Sequence, residues 1–281
     1  MNLARSFPFA LVCLALFAPQ HAAAQKFISP YSEVSLVSET AHLVPGETAW
    51  VGLHIKTKPG WHTYWRNPGD SGLPTRIAWS LPSGIAAGGI HWPIPEKFAF
   101  GPLAGYGYKN ETLLMVPLAV DGGLGLGAEA KVTADANWLV CEDICVPERA
   151  TFSLVMPVAD RAAGPRNALF RTYRASLPAG PPVVAEGHQT AQAIGISARL
   201  PDDGWRAEDG LEFFPASEGA AEASAPQRIR LDGLRLVMEL KPGYLAEESR
   251  LTVLEGVLVS GAGNGSGRKG IKLIARFNPG T

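Results

Sequence analysis

Twenty-three prolines and 31 glycines are spread along the 281 residues, and between them long stretches of helical periodicity are nearly absent. Proline removes a backbone donor and glycine costs backbone entropy inside any regular element, so a chain punctuated this often folds as short segments joined by turns. The segments that survive are β-branched or apolar: Glu33–Glu39, Trp50–Lys56, Leu113–Val120, Lys131–Val140 and Ala150–Met156. Each reads as a strand. Their spacing predicts an all-β fold, with a β-sandwich over residues 26–158.

The character of the chain changes after Val158. Asp160–Leu177 carries Arg161, Arg166, Phe170, Arg171, Tyr173 and Arg174 and is the best helix candidate, its start delayed by Gly164-Pro165. It ends at Leu177-Pro-Ala-Gly-Pro-Pro182, so residues 159–182 read as a short helical and proline-rich linker. Beyond it, Ala191–Arg199, Leu211–Phe214, Arg228–Leu240, Leu251–Leu258 and Ile271–Phe277 predict a second, smaller β domain over residues 183–281. Gly261–Gly267 reads as a flexible turn, and no fixed-period repeat indicates a solenoid or propeller. This second domain has neither a cysteine nor clustered polar candidates. A spacer or docking role is the default for it.

At the N-terminus, Arg5 precedes an apolar run, Phe7–Ala18, and then Ala22-Ala23-Ala24, the three-part layout of a secretory signal peptide over residues 1–24. The run spans roughly a dozen residues, against about 20 for a membrane-spanning helix. Export to the periplasm with cleavage near Ala24 is the expectation, with no membrane insertion of the mature chain. With 25 basic and 26 acidic side chains and no basic stripe, the composition argues against nucleic acid and anionic membrane surfaces as partners.

Cys13 lies within the signal, which leaves Cys141 and Cys145 in the mature chain. An even pair in an oxidising compartment points to a disulfide. If the residues up to Val140 and those from Ala150 form successive antiparallel strands, the two cysteines sit at a hairpin end, within disulfide reach. A purely structural staple is one reading, but a bridge closing so few residues constrains the unfolded chain little, which moves weight toward redox or metal chemistry. A Cu(I) site is another. Cys-x3-Cys followed by proline resembles Sco-type copper-assembly proteins, but those place the pair before a helix, whereas Ala150–Met156 reads as a strand. Only four methionines are present as soft ligands, and His54, His62 and His91 read as ordinary polar residues.

The aromatic cluster Trp61, Tyr64 and Trp65, beside His62, Arg66 and Asp70, supports a further alternative, a binding module with a structural disulfide. We read these rings as loop aromatics packed against the sandwich. Asp70 and His62 lack the Gly-x-Ser-x-Gly elbow that would make them part of a hydrolase.

Three segments carry a family resemblance: Trp138-Leu-Val-Cys-Glu-Asp-Ile-Cys-Val-Pro147, Lys58-Pro-Gly-Trp-His-Thr-Tyr-Trp-Arg-Asn-Pro-Gly-Asp-Ser-Gly72 and Gly105-Tyr-Gly-Tyr-Lys-Asn110. Together they resemble the N-terminal periplasmic domain of DsbD-type thiol:disulfide interchange proteins, in particular the ScsB-like branch, where a further β domain follows. The resemblance implies an immunoglobulin-like sandwich with an exposed redox pair. It also implies thioredoxin-like periplasmic oxidoreductases as partners and a membrane electron donor of DsbD/ScsB type. No cofactor or metal is expected beyond the redox-active disulfide. The family's membrane and thioredoxin domains have no counterpart in this sequence.

By the same resemblance Cys145 forms the mixed disulfide and Cys141 resolves it. Glu142 and Asp143 beside Cys141, and Arg149 nearer Cys145, give mild electrostatic support, which Glu148 offsets. A cap loop is expected at Pro95–Pro102, with Phe98 over the disulfide and Phe100 as the alternative. Tyr106 and Tyr108 are expected either to frame the site from a neighbouring strand or to be ordinary strand aromatics.

Overall fold

The computed structural model describes residues 25–162, 167–202, 204–261 and 267–278. The expected signal peptide, Gly164-Pro165 and most of the Gly261–Gly267 turn lie outside the described residues.

Eleven strands precede the first helix among the described residues: β1 (Lys26–Ile28), β2 (Ser32–Ser38), β3 (Thr48–Thr57), β4 (His62–Gly69), β5 (Arg76–Ser80), β6 (Ile85–Ala87), β7 (Glu96–Phe100), β8 (Leu103–Lys109), β9 (Glu111–Val120), β10 (Glu129–Cys141) and β11 (Cys145–Pro157). After α1 (Ala168–Ala175) come β12 (Val183–Gln189), β13 (Ile194–Arg199), β14 (Glu212–Pro215), β15 (Arg228–Asp232), β16 (Arg235–Leu240), α2 (Tyr244–Glu248), β17 (Val253–Ser260) and β18 (Lys269–Phe277).

The first eleven strands make an immunoglobulin-like sandwich. One sheet has the order β1-β2-β3-β9-β6; the other runs β11-β10-β4-β8-β7, with β5 pairing on β10. Alternation along β3 turns Val51, Leu53 and Ile55 inward, and their cross-strand partners on β9 include Val116 and Leu114. Each such fully buried aliphatic side chain contributes about 1.5–3 kcal/mol. The opposite face of β9 is also covered. There Phe170 of α1 docks against Leu113 and Met115, which is why Leu113–Val120 carries no polar alternation.

Helix α1 begins at Ala168, later than the Asp160 expectation. Asn167 caps it by accepting from the Leu169 amide, and Arg174 in its last turn pairs with both carboxylate oxygens of Glu39.

The C-terminal strands form one sheet, β14-β17-β18-β12-β13-β16-β15, antiparallel except for the β12–β18 pair. The expected single strand Arg228–Leu240 is instead a hairpin. Asp232-Gly233 is a turn signal flanked by strand residues, and Gly233 takes φ 56°, which a side chain at that position would resist. One face of this sheet packs its own core around Phe213, Met238 and Leu258, whereas Phe214, Val257 and Val259 on the other face join the core of the sandwich. No helix among the described residues is long and apolar enough to cross a membrane.

Candidate redox site

Strands β10 and β11 form a continuous antiparallel ladder from Glu129↔Pro157 to its last rung, Cys141↔Cys145. Glu142, Asp143 and Ile144 make the turn, closed by a hydrogen bond from the Glu142 amide to the Ile144 carbonyl at 3.1 Å. The two cysteines are disulfide-bonded, their Cα atoms 4.2 Å apart.

Alternation sets which face the pair occupies. Trp138 and Val140 point into the sandwich core, so Leu139 and Cys141 face the opposite way, into a separate small cluster with Tyr64 and Phe98. Phe100 packs against that cluster. The two cysteines differ in exposure: Cys141 is 2% exposed, whereas Cys145 is exposed, next to an Ile144 that is 62% exposed.

Strand β4 lies on the other side of β10, with His62 opposite Cys141 and Thr63 opposite Val140. The rings read as loop aromatics are therefore divided by a strand. Tyr64 faces the disulfide, Trp65 faces the main core, and Trp61 at the strand's start packs against that core. The Tyr64 hydroxyl stands 3.7 Å from Cys145 Sγ and 3.3 Å from His62 Nε2. Burial pushes the Tyr64 phenol up to about 12. Burial first, and then the nearby Lys109 cation, hold His62 down at about 4. At neutral pH the site thus offers a protonated hydroxyl beside Cys145 and, next to that hydroxyl, a neutral imidazole.

Phe98 and Phe100 lie on β7, one arm of a β7–β8 hairpin, and not on a loop. Pairing of Glu96–Phe100 with Leu103–Gly107 fixes the segment as strand, so both phenylalanines project from one face. The Phe98 ring is 4.1 Å from the His62 ring, centroid to centroid, and Lys109 Nζ is 5.7 Å from the Phe98 centroid.

Tyr106 and Tyr108 point away from the disulfide. Tyr108 pairs with Thr63 and Gly107 with Tyr64, so the tyrosines share the core face and the glycines share the site face. Tyr108 donates to the Pro93 carbonyl at 2.8 Å, and Tyr106 meets Phe214 edge-on at 5.0 Å. The glycines make room on the site face: a Cβ at Gly105 would lie 2.4 Å from the Phe98 ring, and one at Gly107 would lie 2.0 Å from the Thr63 carbonyl oxygen.

Arg149 does not approach Cys145. Its guanidinium makes a two-pronged ion pair with Asp135, further down the ladder. Glu148 faces the core, where its carboxylate accepts from Trp138 Nε1 at 2.8 Å and from the Ser32 hydroxyl. Asp70 is not paired with His62; its carboxylate accepts from the Ala104 and Ala223 amides. Among the described residues, no group of three or more His, Cys, Asp or Glu side chains is arranged to hold a metal ion.

His62, read from the sequence as an ordinary polar residue, and Tyr64, read as a loop aromatic packed on the sandwich, are instead brought to the disulfide. The signal was their spacing of two, which puts both on one face once residues 62–69 are recognised as a strand.

No curated protein matches the chain. Among solved structures, the N-terminal periplasmic domain of ScsB from Proteus mirabilis superposes with TM-score 0.64 at 14% identity, covering 91% of this chain and 98% of that one, which shows a shared fold. Cadherin-like domains 1 to 4 of zebrafish RET give a TM-score of only 0.20 at 11% identity, with 87% of this chain and 52% of that chain covered. Residues 33–157 match the family model described as thiol:disulfide interchange protein DsbD, N-terminal. Residues 33–157 are thus a DsbD-type N-terminal domain, and the disulfide at the end of the β10–β11 ladder fits thiol:disulfide interchange in general.

Proposed function

We propose that the protein is a periplasmic relay that passes electron pairs to or from thioredoxin-fold partners through a reversible Cys141–Cys145 disulfide, with Cys145 exchanging and Cys141 resolving. The observation that carries this reading is the asymmetry of exposure: Cys145 is exposed on the turn, whereas Cys141 is buried. The position of the bridge supports it too. A structural staple between Cys141 and Cys145 would fasten two residues that the ladder already holds in register.

In the donating direction, the Cys145 thiolate attacks a sulfur of the partner's disulfide, forming a mixed disulfide and releasing one partner thiolate. The Cys141 thiolate then attacks Cys145 Sγ, expels the partner's second thiolate and restores the Cys141–Cys145 bond. Two electrons, with two protons, have moved to the partner. In the accepting direction the same steps reverse, and a donor thiolate opens the bond at Cys145. Tyr64, protonated and 3.7 Å from Cys145 Sγ, is placed to donate a hydrogen bond to the thiolate. Phe98, with Phe100 beside it, covers the buried end of the pair between encounters.

The upstream donor in this reading is a membrane protein of DsbD/ScsB type and the recipient is a periplasmic thioredoxin-fold oxidoreductase. The periplasm is the compartment proposed, supported by the likeness to a periplasmic domain and by the need of a disulfide for oxidising surroundings. The test is trapping. Cys141→Ser should accumulate a mixed disulfide with a thioredoxin-fold partner on a non-reducing gel, and Cys145→Ser should form none and transfer nothing. Full transfer by both variants would sink the proposal.

A further inference from the structure

We infer that the C-terminal sheet is a clamp that holds the β7–β8 hairpin over the disulfide, with Lys97, Glu212 and Arg268 as the positioning residues. The inference rests on the reading of Phe98 as the shield of the cysteine pair. It gives the second domain a task that its own residues do not announce.

Successive residues on β7 point to opposite faces. Phe98 faces the disulfide; Lys97 faces the C-terminal sheet and reaches Glu212 on β14, Nζ to Oε1 at 3.2 Å. The cross-strand partner of Lys97 is Tyr106, whose ring lies on Phe214, two residues along β14 from Glu212. Phe214 is fully buried and also meets Trp65 of β4 edge-on at 6.3 Å. The face of the hairpin opposite the shield is thus docked on a single strand of the second domain.

The ends of the hairpin are tied as well. Arg268 donates to the carbonyl of Pro95, the residue before β7. Asp70 Oδ2 accepts from the Ala104 amide on β8 at 2.9 Å, while its Oδ1 accepts from the Ala223 amide of the second domain at 3.1 Å. One carboxylate therefore bridges the returning arm and the clamp. Asn67 Nδ2 adds bonds to the Pro215 and Ser217 carbonyls, at 2.8 and 3.2 Å. The Lys97–Glu212 ion pair and the Arg268–Pro95 hydrogen bond thus tie β7, and the residue before it, to the second domain.

If the clamp sets how often the hairpin lifts, weakening it raises the open fraction, and with it the rate at which small oxidants reach the reduced pair. In the full chain, Glu212→Lys replaces an attraction with repulsion among Lys97, Arg268 and the new cation. The reduced protein should then be oxidised by glutathione disulfide roughly fivefold faster, the factor matching the upper end for a partly exposed pair. The swapped double variant, Lys97→Glu with Glu212→Lys, should return the rate toward that of the wild type. Lys97→Met, which removes the pair without adding charge, serves in its place should Glu212→Lys fail to fold.

Phe98→Ala separates the two ideas. If it speeds oxidation while Glu212→Lys and Lys97→Met do not, the shield stands and the clamp is overturned. If Phe98→Ala also leaves the rate unchanged, the shield reading itself fails. Acceleration in the clamp variants, undone by the charge swap, supports the inference.

Discussion

His62 gives the site a measurable dependence on pH. The imidazole is 7% exposed, faces Phe98 at 4.1 Å, and is held at about 4 by burial first and by Lys109 second. In the unfolded chain a histidine titrates near 6.5. Between those two values the unfolded state carries a proton that the folded state refuses, so stability falls as pH falls through this window and is unaffected by His62 above it. Integrated over the window, the loss is about 3 kcal/mol, of which about 2 kcal/mol has gone by pH 5. His62→Phe removes the titration and keeps a ring of similar size in the cluster. Urea unfolding of the oxidised wild type and variant at pH 5 and pH 7.5 gives the difference of differences, in which the displaced titrations of His54 and His91 cancel because both proteins share them. The variant should lose about 2 kcal/mol less than the wild type on acidification. Equal losses would show that His62 takes up its proton in the folded protein as readily as in the unfolded chain, and the buried neutral imidazole would be refuted.

Two further outcomes follow from the geometry of the site. Gly105→Val should cost about 1–3 kcal/mol in chemical denaturation, because its Cβ meets the Phe98 ring at 2.4 Å. The reduced variant should also be oxidised faster by glutathione disulfide, since the ring must leave its place; unchanged stability and rate together would contradict the packing described. The Cys141–Cys145 pair should equilibrate with thioredoxin-like couples near about −270 mV, and a midpoint below about −300 mV in a redox titration would return the bridge to a structural role.

The hairpin end that carries the cysteines was legible because β10 and β11 flank it in sequence. Local strands with a short turn between them need no knowledge of the rest of the fold. β4 was not legible as a strand. His62, Thr63, Tyr64 and Trp65 are all buried, because one face packs on the sandwich core and the other on the disulfide cluster, so the run shows no polar alternation. Its neighbours on both sides, β10 and β8, are far away in sequence, and only that pairing brings His62 and Tyr64 to the cysteines. Arg149 failed for a related reason. Adjacency to Cys145 in sequence placed it near the sulfur, but the ladder supplied Asp135 as a closer partner.

Gly105-Tyr-Gly-Tyr108 shows what kind of information was missing. Read as aromatics spaced by two, it places both tyrosines on one face of a strand, and nothing local says which face meets the disulfide. The structure puts the glycines there. A strand that must pack one face against a full core and leave the other thin will alternate large and absent side chains. The thin face is where other rings can lie, as Phe98 and Phe100 do against Gly105. The tyrosines on the full face are not idle in this arrangement, since Tyr106 takes the second domain's Phe214 and Tyr108 anchors to Pro93. One strand thus carries both the floor beneath Phe98 and the contact with Phe214. A one-residue slip of β8 would exchange them, putting Tyr106 under Phe98 and opening a gap against Phe214, so the packing of Phe98 beside the disulfide and the docking of the second domain are fixed by the same register.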